Sequence, residues 1–134
     1  MHRAIQAAIA SVAALLLLLP ALPVGAAGPA PRLVGTIHIP GTAGRWDVAA
    51  IDDAGQRLYL SDTTNQTLDV VNLASGSVVA QIPGLPNKPD SKGGNHGSNG
   101  LVIAADLHEV FVSDESDSSV HVFDTSSNTQ VAVI

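Results

Sequence analysis

The sequence predicts an all-β protein built from repeated four-stranded antiparallel sheets. Three observations support this fold class. A long segment occurs twice in tandem, and within each copy the apolar residues alternate with polar ones at the period of two that is typical of strands. In addition, Asn or Asp begins most of the short polar stretches that separate the apolar runs, as is common in hairpin turns.

The repeat becomes visible when residues 57–82 are placed above residues 109–134, because the two segments align without a gap. Several aligned pairs are identical, and others differ in residue type but keep their chemical character, as Tyr59 and Phe111 do. Chance is a poor explanation for this agreement, so we interpret the two segments as copies of one structural unit. The identical pairs are Ser61/Ser113, Asp62/Asp114, Val70/Val122, Ser75/Ser127, Val79/Val131, Ala80/Ala132 and Ile82/Ile134.

Each copy, together with the apolar run before it, supplies four short strands. Such runs separated by turn residues predict an antiparallel meander. The runs of the first unit are 48–51, 58–60, 68–71 and 78–82, and those of the second are 101–105, 110–112, 120–123 and 131–134.

The last hairpin turn of each unit has a recognisable chemistry. Asn72 and Asp124 begin these turns, and their side chains can accept hydrogen bonds from the turn backbone. Gly76 and Asn128 follow four places later and are residue types that tolerate positive φ. We therefore expect a type I turn closed by a G1 bulge in both units.

The first 26 residues read as a secretory signal peptide. Arg3 gives a positive start, the stretch 7–19 is apolar, and small residues follow two prolines. This pattern is typical of an export signal, and the apolar stretch is shorter than the roughly 20 residues that span a bilayer. We expect cleavage near Ala26 or Ala27, export to the periplasm or the extracellular space, and no membrane span in the mature protein.

Composition excludes several classes of function. The chain has 134 residues, with 6 Lys and Arg against 12 Asp and Glu, and no Cys. Without Cys there is no disulfide framework, thiolate zinc site or Cys nucleophile. An acidic chain with so few cations also lacks the clustered Lys and Arg that nucleic acids require, so we expect no nucleic-acid partner.

The first unit carries a family resemblance. WDVAAIDDAGQRLYLSDTTNQTLDVVNLASGSVVAQIPGLP resembles the YncE-like proteins with YVTN-type repeats. The resemblance implies a β-propeller of four-stranded blades over residues 27–134. Residues 33–41 would be a strand of the closing blade, 46–84 and 100–134 would be two blades, and 84–100 a loop.

Two blades and one spare strand are fewer than a propeller needs, since these rings usually contain about 4 to 8 blades. We therefore expect this chain to be the N-terminal part of a longer protein, with the remaining blades missing from it. A two-blade chain that assembles into a ring is the alternative.

Strand parity places the candidate ligand face. In a four-stranded meander, the turn between strands two and three emerges on the same side as the connection to the next unit. Asp62, Asn65, Asp114 and Asp117 are therefore expected beside the 84–100 loop. The candidates for ligand contact are His96, Asn95 and Asn99 in this loop, and Trp46 and Asp47 at the start of the first blade.

The acidic turn SDESDSS suggests a weak metal site. Asp114 and Asp117 offer hard oxygen ligands of the kind that calcium prefers. The turn lacks the glycine pivot and the regular spacing of a calcium-binding loop, and capping of the hairpin accounts for both carboxylates as well. Metal and cofactor requirements therefore stay open.

Two functions are compatible with these features. The first is an exported module that binds or scaffolds an unidentified small molecule or protein on the face of the 84–100 loop. The second, implied by the resemblance, is a propeller enzyme of the lactonase or quinoprotein dehydrogenase type that uses residues at the channel mouth. The starts of the two inner strands do not repeat one residue type, which favours binding.

Overall fold

The computed structural model describes residues 28, 30–89 and 91–134, apart from the side chain of Asn95. The predicted signal peptide, residues 1–26, lies outside the described residues. Contacts divide the chain into one unit up to Val34 and another from Gly35 to Ile134, and the strands of the described residues all belong to the second unit. Within the described part, no helix is long and apolar enough to cross a bilayer.

The strands form two four-stranded antiparallel sheets, each with its strands in chain order. Sheet 1 contains β1 (Trp46–Asp52), β2 (Arg57–Asp62), β3 (Thr67–Asn72) and β4 (Ser77–Pro83). Sheet 2 contains β7 (Ser98–Ala104), β8 (Glu109–Asp114), β9 (Ser119–Asp124) and β10 (Thr129–Val133). Between them, β5 (Lys88–Pro89) pairs with β6 (Asn95–His96).

This architecture confirms the predicted all-β class and the two meanders. Within the described residues, the two sheets do not close into a barrel or a ring. Residues 33–41, expected to be a strand of a closing blade, form no strand in the structure. The loop predicted over 84–100 contains the short β5–β6 pair, and its last three residues already belong to β7.

One turn type recurs at every hairpin within the two sheets. Four residues connect the paired strands, and the fourth has positive φ. The positive φ predicted for Gly76 and Asn128 is confirmed at 66° and 54°. The G1 bulge was expected at the turn itself, but Asn72 still pairs with Ser77 and the register shifts further along the hairpin, between Val70 and Val71. The other four positive-φ turn residues are Gln56, Gln66, His108 and Ser118.

The core lies between the two sheets. Both contribute buried apolar side chains from alternate positions along their strands, because successive residues of a strand point to opposite faces. Leu85, from the connection between the sheets, is buried with them. The core side chains are Tyr59, Leu68, Val70 and Ile82 of sheet 1 and Val110, Val112 and Phe123 of sheet 2.

The two sheets pack with opposite faces. Sheet 1 buries Tyr59 and Val70 against sheet 2. In the second copy these positions are Phe111 and Val122, which pair across β8 and β9. Because Val110 lies in the core, its neighbour Phe111 points to the other side of sheet 2. The face that sheet 1 buries therefore corresponds to the outer face of sheet 2.

Candidate functional site

The connection between the sheets lies along one edge of the molecule, which we call the loop edge. Three hydrogen bonds to main-chain carbonyls hold it there. The Leu85 amide donates to the Gln66 carbonyl at 3.3 Å, the Asn87 side-chain amide donates to the Thr63 carbonyl at 3.0 Å, and the Glu115 amide donates to the Gly97 carbonyl at 3.0 Å. The loop edge consists of residues 84–89 and 91–99 and of the segments 62–66 and 114–118, which contain the two turns.

His96 is anchored at the loop edge by a carboxylate. Its Nδ1 lies 2.8 Å from Oε1 of Glu115. A carboxylate only accepts hydrogen bonds, so Nδ1 carries the hydrogen and donates it. Asn99 donates to the other oxygen of Glu115 at 3.4 Å, and the Ser113 hydroxyl donates to Asn99 at 3.1 Å. The chain of contacts fixes His96 and Asn99 relative to sheet 2.

An open cleft lies beside this group. Lys88 enters it because β5 pairs Lys88 with His96. The side chains of His96 and Glu115 keep 39% and 54% of their surface exposed, so both are accessible from solvent. The cleft thus offers a cation, a carboxylate and an imidazole within a small area. Its lining residues are Lys88, Pro89, His96, Glu115 and Ser116.

Of the predicted ligand-face residues, the structure brings His96 and Asn99 together. Asn95 lies in β6, where its backbone pairs with Pro89. Trp46 and Asp47 do not line the cleft. The Asp47 carboxylate instead forms an ion pair with Arg45 at 3.1 Å.

Trp46 lines a second cleft, between sheet 1 and the segment 36–43. The indole is 43% exposed, and its Nε1 donates to Oδ2 of Asp69 at 3.4 Å. This cleft has a volume of about 430 Å³ and is mostly apolar. A stacking role for Trp46 is compatible with this position, but at a place separate from His96. The lining residues are Thr36, Ile37, His38, Ile39, Gly41, Thr42, Ala43, Trp46 and Leu60.

Asp69 is a buried carboxylate that sequence reasoning missed. It lies in the middle of β3 and is 0% exposed. Burial raises the pKa of Asp69, although hydrogen bonds from Thr67 at 2.8 Å and Gln81 at 3.1 Å oppose this effect. A charged residue inside the apolar run LDVV was the available signal.

The two weak metal candidates have different partners. Asp117 contacts His121 at 3.0 Å and accepts a hydrogen bond from Ser119 at 2.6 Å. Burial works to raise the pKa of Asp117, but the hydrogen bond from Ser119 and the charge of His121 outweigh it, so the pKa lies below its usual value. Asp114 instead accepts from the amide and hydroxyl of Ser116.

Among the described residues, no group of three or more His, Asp or Glu side chains is arranged to hold a metal ion.

Sequence reasoning assigned no role at this cleft to Glu115 or Lys88. Glu115 and Lys88 line the cleft because of the path that the connection between the two sheets follows. The repeat pattern does not specify this path. Compared with known proteins, the sequence matches no family model and no curated protein. The YncE-like resemblance therefore stays a prediction.

Proposed function

We propose that the protein is an exported binding module in which the two sheets are neighbouring propeller blades. A small polar ligand binds in the cleft of the loop edge.

The packing of the sheets supports the propeller. The face of sheet 1 that packs against sheet 2 is built from the repeat positions that, in the second copy, form the outer face of sheet 2. Packing of this head-to-tail kind can be repeated with further units and closes into a ring when the rotation permits. The outer face of sheet 2 carries Val102, Phe111 and Val122 on adjacent strands, and Val102 is 65% exposed. Another blade would cover this face as sheet 2 covers sheet 1.

The segment after Val34 supports the same arrangement. Gln81 donates a hydrogen bond to the Pro40 carbonyl at 2.9 Å, and the same amide reaches Asp69. Residues 36–39 and Leu60 line one cleft. The segment thus lies against the outer face of sheet 1, the side on which a closing blade would pack.

The pair of His96 and Glu115 supports ligand binding. The contact at 2.8 Å orients the imidazole, while both side chains stay accessible. Lys88 adds three donors on a flexible stem, and Asn99 adds an amide. Together they supply donors and acceptors to a ligand with several polar groups. Orientation by neighbouring residues reduces the entropy that binding would cost.

Ligand-observed NMR with a library of small polar molecules tests the proposal. We expect hits with the wild-type protein, loss of their signals with His96→Ala, and weaker signals with Glu115→Gln. His108→Ala is the matched control, because His108 lies in a turn at the opposite edge. Ligands that bind equally well to His96→Ala, or a library without any hit, would refute the proposed site.

An enzymatic role is the second candidate. An imidazole oriented by a carboxylate is also the arrangement of a general base, for which His suits neutral pH. Turnover of a lactone or of a quinone-dependent substrate by the protein, reduced at least tenfold in Glu115→Gln, would favour an enzyme of the lactonase or dehydrogenase type. Turnover unchanged by this substitution would argue against His96 as its base.

A further inference from the structure

The loop edge concentrates buried polar atoms that have no hydrogen-bond partner. Among the described residues, five buried side-chain oxygens lack a partner, and only one of them, the Tyr59 hydroxyl, lies elsewhere. Buried polar groups are normally paired, so such a concentration calls for an explanation. The atoms at the loop edge are Thr63 Oγ1, Asn87 Oδ1, Ser98 Oγ and Asp114 Oδ2.

These four residues are neighbours in the structure. The Asn87 side chain donates to the Thr63 carbonyl at 3.0 Å. A Cβ on Gly97 would meet Thr63 at 2.7 Å, so Ser98, the next residue, begins beside Thr63. Ser98 in turn pairs with Asp114 across β7 and β8. We call these four neighbouring residues, which lie where the connection meets the two turns, the buried strip.

Asp114 gives this strip a negative charge. The residue is 3% exposed, and no described Lys, Arg or His forms an ion pair with it. Its Oδ1 accepts two hydrogen bonds from Ser116. An isolated buried carboxylate is costly unless a cation or further donors compensate for it.

Comparison with Asp62 shows that the turn itself does not leave a buried carboxylate oxygen without a hydrogen bond. It holds the same repeat position in sheet 1 and is 1% exposed. Both of its oxygens accept hydrogen bonds from Asn65, at 2.9 and 2.7 Å. The unsatisfied oxygen is therefore specific to Asp114.

We infer that the strip binds a calcium ion through the side-chain oxygens of Asp114, Ser98, Asn87 and Thr63. The set contains only oxygen, which suits a hard cation, and water or main-chain carbonyls complete the coordination. With one carboxylate, the affinity belongs to the weak range of extracellular modules, on the order of 10⁻⁴ to 10⁻³ M. The ion fastens the connection to both turns. Calcium binding here requires no ligand in the His96 cleft.

Thermal unfolding and calorimetric titration test this site. Addition of 10 mM CaCl₂ to calcium-free protein raises Tm by about 6 to 20 °C, since a ligand that binds the folded state stabilises it. Titration of CaCl₂ gives a saturable signal with one site. Asp114→Asn abolishes both effects, while Asp62→Asn keeps them. Circular dichroism checks that each variant is folded before titration, and sodium chloride of equal ionic strength serves as the salt control.

Three outcomes would overturn the inference. The first is wild-type protein without calcium heat or a Tm shift, which would mean that water satisfies these oxygens. The second is an equal response to sodium chloride. The third is a folded Asp114→Asn variant that still binds calcium with unchanged affinity. None of these results bears on the small-molecule binding assigned to His96, which is measured separately.

Discussion

Replacement of Tyr59 by Phe should stabilise the protein. Tyr59 is 1% exposed, and its buried hydroxyl makes no hydrogen bond of good geometry, although the side chains of Arg57 and Thr125 lie near it and interact with it weakly. Burial also raises the pKa of Tyr59, although the neighbouring Arg57 works against this. An unsatisfied buried polar group costs about 1 to 3 kcal/mol. Phe keeps the ring in the core between the sheets, so the substitution removes this cost without opening a large cavity.

We expect the free energy of unfolding to rise by about 1 kcal/mol in Tyr59→Phe, the lower end of that range, because Arg57 and Thr125 already offset part of the desolvation cost of the hydroxyl. Urea unfolding followed by circular dichroism measures it. The control is Ser61→Ala on the same strand. The Ser61 hydroxyl is also buried, but it is bonded to the amide and carbonyl of Val48, so its loss should destabilise by about 1 kcal/mol. A Tyr59→Phe variant less stable than wild type would contradict the reasoning.

Three further substitutions test the fold. Phe123→Ala should lower the free energy of unfolding by about 3 to 5 kcal/mol in urea titration, because the side chain is 1% exposed and lies between the sheets. Gln66→Gly should raise it by about 0.5 kcal/mol, since Gln66 has a φ of 61° that favours glycine. In Asp124, hydrogen bonds from the amide and hydroxyl of Ser127 lower the pKa. The stability from this carboxylate is present above the ordinary pKa of Asp and is lost as pH falls through the lowered value. Asp124→Asn should therefore weaken the loss of thermal stability on acidification between pH 7 and pH 2, and an unchanged slope would contradict this.

The sequence predicts the sheets well because local chemistry determines them. Asn72 and Asp124 accept hydrogen bonds from turn amides at 2.9 and 2.6 Å, as their residue types suggest. Period-two alternation likewise identifies the strands that bury Val70 and Val110. Both signals act over a few residues, so one copy of the repeat is enough to show them.

Candidate-site residues were only partly predictable, because the cleft depends on the path of a long connection. Strand parity correctly puts His96 near the β8–β9 turn, yet parity does not specify which turn residue it meets. The partner is Glu115, whose amide bonds to the Gly97 carbonyl. Trp46 illustrates the opposite case. It begins β1, but its indole turns towards Asp69 on the outer face of sheet 1, away from His96.

Asp62 and Asp114 show how one repeat position acquires two environments. Both end the second strand of their sheet and accept a hydrogen bond from the turn that follows, so the repeat explains the shared role. Their second oxygens differ because Asn65 returns its side chain to Asp62, whereas the corresponding Asp117 turns to His121. At the same time Ser98 is buried beside Asp114. The two aspartates thus differ in their surroundings for two reasons. Asn65 of the first turn is replaced by Asp117 in the second, and Ser98 of the connection lies beside Asp114. Function in this chain is therefore more productively sought where the copies differ than where they agree.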